Sequence, residues 1–238
     1  MHVHPPAMLH GELEEAFPDV FFVTGTSRPK IGDDVWQYSR NMVVVREGEQ
    51  LTLINSVRLD EPGLVRLEAL GRVSHVVKLG AFHGMDDRFY CERYAAKQWA
   101  PHGMLHEDGH VADEVLLGGG LGPFAGLQLF SFATSKHPES AIVIDRTGGI
   151  LVSCDSLQNW VEVDSYFDSA SALRMSAMGF IKPANIGPGW RMAAAPEASD
   201  FARLKALSFR HLLPGHGRPI RDTAHAQLSA TFEREFGA

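Results

Sequence analysis

Five side chains have chemistry suited to holding a metal ion: His83, Asp86, Asp87, Asp155 and His216. Imidazole and carboxylate are the usual donors for zinc, iron and manganese. Three segments carry them. Leu79-Gly80-Ala81-Phe82-His83-Gly84-Met85-Asp86-Asp87 reads as a loop between a strand and a helix. Gly149-Ile150-Leu151-Val152-Ser153-Cys154-Asp155 is an apolar strand ending on a carboxylate. Leu212-Leu213-Pro214-Gly215-His216-Gly217 is a strand running into a turn that holds a histidine. A side chain just past a strand end is held firmly, and several such ends can assemble one site. A bound divalent metal lowers the pKa of its water to about 7 and polarises carbonyl or phosphoryl oxygens. Each residue also has a plainer use. His216 could satisfy backbone groups in its turn, and Asp155 could cap the segment after its strand. Asp86 and Asp87 could cap the helix expected from Arg88, because aspartate favours helix N-termini.

The elements that must position these groups follow from hydrophobic pattern. Strands are expected at residues 20–24, 41–46, 51–55, 73–79, 127–132, 141–145, 150–154 and 211–213. Val43-Val44-Val45 is β-branched and short, which favours strand, and the Gly48 turn makes a hairpin. Helices are expected at residues 61–70, 88–99, 165–178, 199–208 and 223–236. Leu64, Leu67 and Leu70 share one helical face, with Gly71 as the stop. Residues 101–122, rich in Gly and His, and the Pro/Gly/Ala stretch 183–196 read as loops. Two β-rich halves with helices outside predict sheet packed on sheet with helical outer layers. Residues 1–19 are expected to be a tail, and residues 20–238 one domain.

With these motifs the chain resembles the metallo-β-lactamase superfamily. Leu213-Pro214-Gly215-His216-Gly217 looks like that family's late Pro-Gly-His-Gly turn, and Cys154-Asp155-Ser156-Leu157 like its Gly-Asp-Thr-Leu segment. The resemblance spans roughly residues 20 to 235. It implies an α+β four-layer αβ/βα sandwich. It also implies His216 as a ligand, Asp155 as a ligand that bridges two metals in the family, and a metal-dependent hydrolase acting on a small-molecule ester, thioester, amide or phosphoester.

The chain departs from the family's His-x-His-x-Asp-His signature. With His83 as the second histidine, Ala81 stands in the first position, Met85 in the aspartate position and Asp86 in the last. Sliding by one matches Asp86 to the aspartate and leaves Asp87 in place of the last histidine. The family's middle histidine falls on Lys136, with His137 one residue off. The remaining set of His83, Asp86, Asp87, Asp155 and His216 suits one zinc, iron or manganese ion better than a pair. Asp86 or Asp87 would be the base. The altered motif keeps two other readings open: a non-catalytic relative that binds a small molecule or protein partner, and an oxygen-handling iron protein.

The bulk composition fits this picture. A formal charge of −7 disfavours nucleic acid or an anionic membrane as partner. No apolar run approaches the ~20 residues of a membrane span. The two cysteines, Cys91 and Cys154, make no disulfide framework, and Cys154 is expected to pack in the core, pointing away from Asp155. A cytoplasmic location is expected, and the oligomeric state is left open.

Overall fold

The structure, a computed structural model, describes residues 4–106, 111–118 and 122–237. In chain order the first half contains β1 (Glu14–Phe17), β2 (Val20–Ser27), β3 (Lys30–Ile31), β4 (Asp34–Val35), β5 (Tyr38–Glu47) and β6 (Gln50–Ile54). It continues with α1 (Glu61–Leu70), β7 (Arg72–Val77), α2 (Asp87–Tyr94), β8 (Lys97–Pro101) and β9 (Glu114–Leu116). The second half contains β10 (Leu127–Ser131), β11 (Ser140–Ile144), β12 (Ile150–Val152), β13 (Leu157–Trp160) and α3 (Ser169–Ala177). β14 (Lys182–Ile186), α4 (Pro188–Ala194), α5 (Ala198–Lys205), β15 (His211–Leu213) and α6 (Ala224–Phe236) complete it.

Seven strands form one sheet in the order β1-β2-β5-β6-β7-β8-β9, and four form a second, β10-β11-β12-β15. Side chains alternate across each sheet, as strand geometry requires. In β5, Val43 and Val45 face the second sheet, where they share a core with Ile142, Ile144, Ile150 and Val152. Met42 and Val44 face the other way, under Leu64, Leu67, Phe89 and Tyr90 of α1 and α2. In β12, Leu151 faces outward into a third core with Trp190, Phe201, Leu228 and Phe232 of α4, α5 and α6. The result is the expected four-layer sandwich of helices, sheet, sheet and helices.

Several expectations are corrected. The tail assignment fails from about residue 10: β1 pairs with β2, and His10 bridges Gly25, so the first sheet begins upstream of residue 20. The helix expected at 88–99 stops at Tyr94, where Ala95 turns left-handed (φ 52°), and the chain continues as β8, parallel to β7. The loop expected at 101–122 contains β9, paired with β8; residues 107–110 and 119–121 of that stretch lie outside the described residues. The stretch 183–196 holds most of β14 and all of α4, which starts with Pro188 in its first turn.

Candidate metal centre

The site forms where strand ends meet at one rim. β12 and β15 run parallel with Val152 opposite Leu213, so both chains leave the second sheet side by side. Cys154-Asp155 follows one and Pro214-Gly215-His216-Gly217 the other. The two exits pack so closely that a Cβ on Gly215 would stand 2.8 Å from the Cys154 carbonyl oxygen. Gly217 adopts φ +82° and lies against the Asn159 backbone, so a side chain there meets both strain and clash. The β5 residue Asn41 ties this turn to the first sheet. Its N–H donates to Gly215 O at 2.8 Å, and its Nδ2 donates to Pro214 O at 2.9 Å and Gly217 O at 2.7 Å. The start of the His83 loop is tied to residues 138–140: Ala81 N–H donates to Pro138 O, and Ser140 N–H to Leu79 O.

This scaffold brings together three of the five residues singled out from sequence. His83 Nε2 and His216 Nε2 lie 3.1 Å apart. His216 Nε2 is 3.1 Å from Asp155 Oδ1, and His83 Nε2 is 3.4 Å from Asp155 Oδ2. Donors of one tetrahedral ion bound at about 2.0–2.1 Å stand roughly 3.3 Å apart. The triangle therefore has the size of one ion's coordination face, and the residues fit a single divalent metal. Both histidines are buried.

The surroundings orient the donors. His216 Nδ1 donates to the Ser39 carbonyl at 2.8 Å, which fixes the ring with Nε2 facing Asp155. Trp160 and Tyr38 pack against that ring, with centroids at 4.9 and 5.7 Å. Burial pushes His83 down to about 4, overriding the nearby Asp155 charge, so the ring is neutral at pH 7. Burial alone would raise Asp155, but His83 and His216 hold it down at about 2. His83 Nδ1 is buried without a partner, so no hydrogen bond on that side fixes this ring as Ser39 fixes His216.

Asp86 and Asp87 turn elsewhere, and neither joins the donor cluster found among the described residues. Asp86 pairs with the buried guanidinium of Arg40 and accepts from Arg58 N–H at 2.7 Å. It sits at the N-cap of α2 but makes no side-chain capping bond. Asp87 accepts from Ser56 Oγ at 2.6 Å and Gln98 Nε2 at 3.0 Å. Burial raises Asp87, while Ser56, Lys78 and Gln98 work against that. His137 packs at a tilt against Phe82, with centroids 5.1 Å apart, and also stays outside the cluster.

Other neighbours of the triangle carried no usable signal in the sequence. Cys154 is fully buried as expected, but its Sγ lies within 4.8 Å of the donors of His83 and Asp155 and 3.6 Å from Asp155 Oδ2, not on the opposite side. Burial, and then the Glu139 and Asp155 charges, push that thiol up, so it is neutral. Glu139 Oε1 accepts from Ser156 N–H at 2.7 Å, fixing the Asp155 turn, and its Oε2 has no partner. Ser39 and Arg40 lie before the strand expected at residues 41–46; β5 starts at Tyr38 and its register brings them to the rim.

The comparisons agree with this architecture. Neither a protein-family model nor a curated protein matches the chain. Solved structures do. The metallo-β-lactamase DIM-1 is similar over 95% of this chain and 99% of its own, with TM-score 0.63 and 13% identity. FIM-1 from Pseudomonas aeruginosa, a metallo-β-lactamase in its mono-zinc form, covers 97% of both chains with TM-score 0.60 and 14% identity. A metallo-β-lactamase from Erythrobacter litoralis covers 95% of both, with TM-score 0.59 and 14% identity. The chain has the metallo-β-lactamase fold.

Proposed function

We propose that this chain is a metal-dependent hydrolase with one divalent ion, acting on a small ester, thioester, amide or phosphoester. The observation that carries the reading is the His83–Asp155–His216 triangle, sized for one ion and buried at the rim where the strands end. Zinc, iron or manganese there would supply Lewis acidity and an activated water. The chain's own residues do the rest. The two Nε2 lone pairs and the Asp155 carboxylate hold the ion. Ser39 fixes the orientation of His216, and Trp160 and Tyr38 wall it from solvent. Burial and then the Asp155 charge push the Glu139 carboxyl well above the usual range, and its Oε1 holds the Ser156 N–H beside the site. Asp86 and Asp87, expected from sequence as bases, instead hold Arg40, Ser56 and Gln98 in place.

The test is turnover by chelator-stripped protein reloaded with zinc, manganese or ferrous iron, against a panel of nitrophenyl esters, thioesters and phosphoesters. Activity should return with metal and fall about a hundredfold or more in Asp155→Ala, as loss of a group central to catalysis does. A metal-loaded protein inert on the whole panel contradicts the reading. The engagement of Asp86 and Asp87 favours the alternative in that event: a binding protein on the same fold.

A further inference from the structure

A cavity opens among the N-terminal segment, the ends of β2 and β5, the loop after β6 and the loop before α2. Its volume is about 300 Å³, at the small end of the range for ligand sites, roughly 300–1,000 Å³. Pro5, Met8, Val57 and Met85 give it apolar walls. Its charged lining is Arg28, Arg40, Arg58 and a single acid, Asp86. Asp86 is already taken, by the Arg40 guanidinium and by the Arg58 backbone N–H. Arg28 and Arg58 line the cavity and make no salt bridge among the described residues, although the Arg28 charge acts on Asp168.

Arg58 is the telling residue. Its guanidinium carbon sits 3.7 Å from the centroid of the Phe89 ring, which fixes the side chain. Its Nε and Nη1 are buried without a hydrogen-bond partner. A buried cationic donor left unsatisfied is costly, more so than a neutral one. Stacking on an aromatic face recovers only part of that. Arg58 and Arg28 put two guanidinium groups on one cavity lining, a wall suited to an anion. Guanidinium is also the side chain suited to planar oxyanions.

We propose that this cavity binds a small organic anion, a carboxylate or phosphate on an apolar body, with Arg58 and Arg28 as its anchors. The charged group meets the arginines, and the apolar part lies against Met8, Val57 and Met85. Met85 and Asp86 come from the loop that carries His83, although none of His83, Asp155 and His216 lines the cavity. That the anion is the recognition end of the substrate rests on the hydrolytic reading; the binding itself does not.

The experiment is calorimetric titration of chelator-treated, full-length protein with benzoate, phenyl phosphate and benzyl alcohol. At least one anion should bind saturably, one per chain, and benzyl alcohol about tenfold more weakly or worse, the loss expected for a charge-assisted hydrogen bond. The stronger of the two anions identifies the headgroup. Arg28→Gln and Arg58→Gln should each weaken that anion about tenfold. Arg28 is exposed, so its variant keeps the parent melting temperature and separates binding from folding. Equal binding of the alcohol, no binding of either anion, or unchanged affinity in both variants overturns the proposal. Because the protein is metal-free, those outcomes leave the hydrolytic reading standing, and that reading fails separately on turnover.

Discussion

Asp86 and Arg40 form the buried ion pair that separates the candidate site from a simpler reading of the sequence. Asp86 stands where the superfamily motif places a ligand, and nothing in its neighbours signals otherwise. Arg40, forty-six residues upstream, claims it. A long-range partner of this kind leaves no trace in local pattern. His216 and Asp155 could be located because glycine-flanked turns and strand ends are local features. The Arg40–Asp86 pair gives a sharp prediction. Arg40→Ala leaves a buried carboxylate with only a backbone donor and should cost about 3–5 kcal/mol. Urea denaturation would read this as a lower midpoint at unchanged slope, and Arg40→Lys should restore part of it. A variant as stable as the parent would show that the pair does not hold this corner together.

The glycines of the His216 turn are the element-scale counterpart. Gly215 lies against Cys154 and Gly217 against Asn159, so the turn docks on two neighbouring segments at backbone distance. Gly217→Ala adds strain at φ +82° and a backbone clash, and should destabilise the fold by about 2 kcal/mol or more. It should also weaken zinc binding, because His216 moves with the turn. Unchanged melting and zinc affinity would refute this account of the turn. β5 and α1, ten residues each, were readable from a β-branched apolar run in the one and an apolar face with a capped start in the other. Asp60, for instance, accepts from Gly63 N–H at the start of α1. β8, β9, β13 and β14 were not readable. They are five residues or fewer, carry polar residues such as Gln98, Gln158 and Asn159, and gain their strand form from pairing with distant chain.

At the scale of the molecule, two sheets close on a site that contains a buried neutral histidine, and this couples stability to pH. The folded value of His83, about 4, lies below its ordinary 6.5. The unfolded chain therefore binds that proton first as pH falls. The contribution is whole above about pH 6.5 and is lost between 6.5 and 4, on the order of 3 kcal/mol. Asp155, lowered to about 2, adds a further loss below about pH 3.8. Melting temperatures from pH 7 to 4 should fall, and His83→Gln should flatten the upper part of that fall. An identical profile in the variant would mean that His83 is not the group responsible. The four-layer architecture itself was readable from the order of strands and helices, because each sheet needs a cover on its outer face.

The central claim is that His83, Asp155 and His216 hold one divalent ion. Tag-free, chelator-stripped protein titrated with zinc at neutral pH, with bound metal counted by elemental analysis after desalting, tests it directly. One zinc per chain, abolished in Asp155→Ala and His216→Ala and unchanged in His137→Ala, is the expected result. Two ions per chain, none, or one that survives both ligand replacements would contradict it.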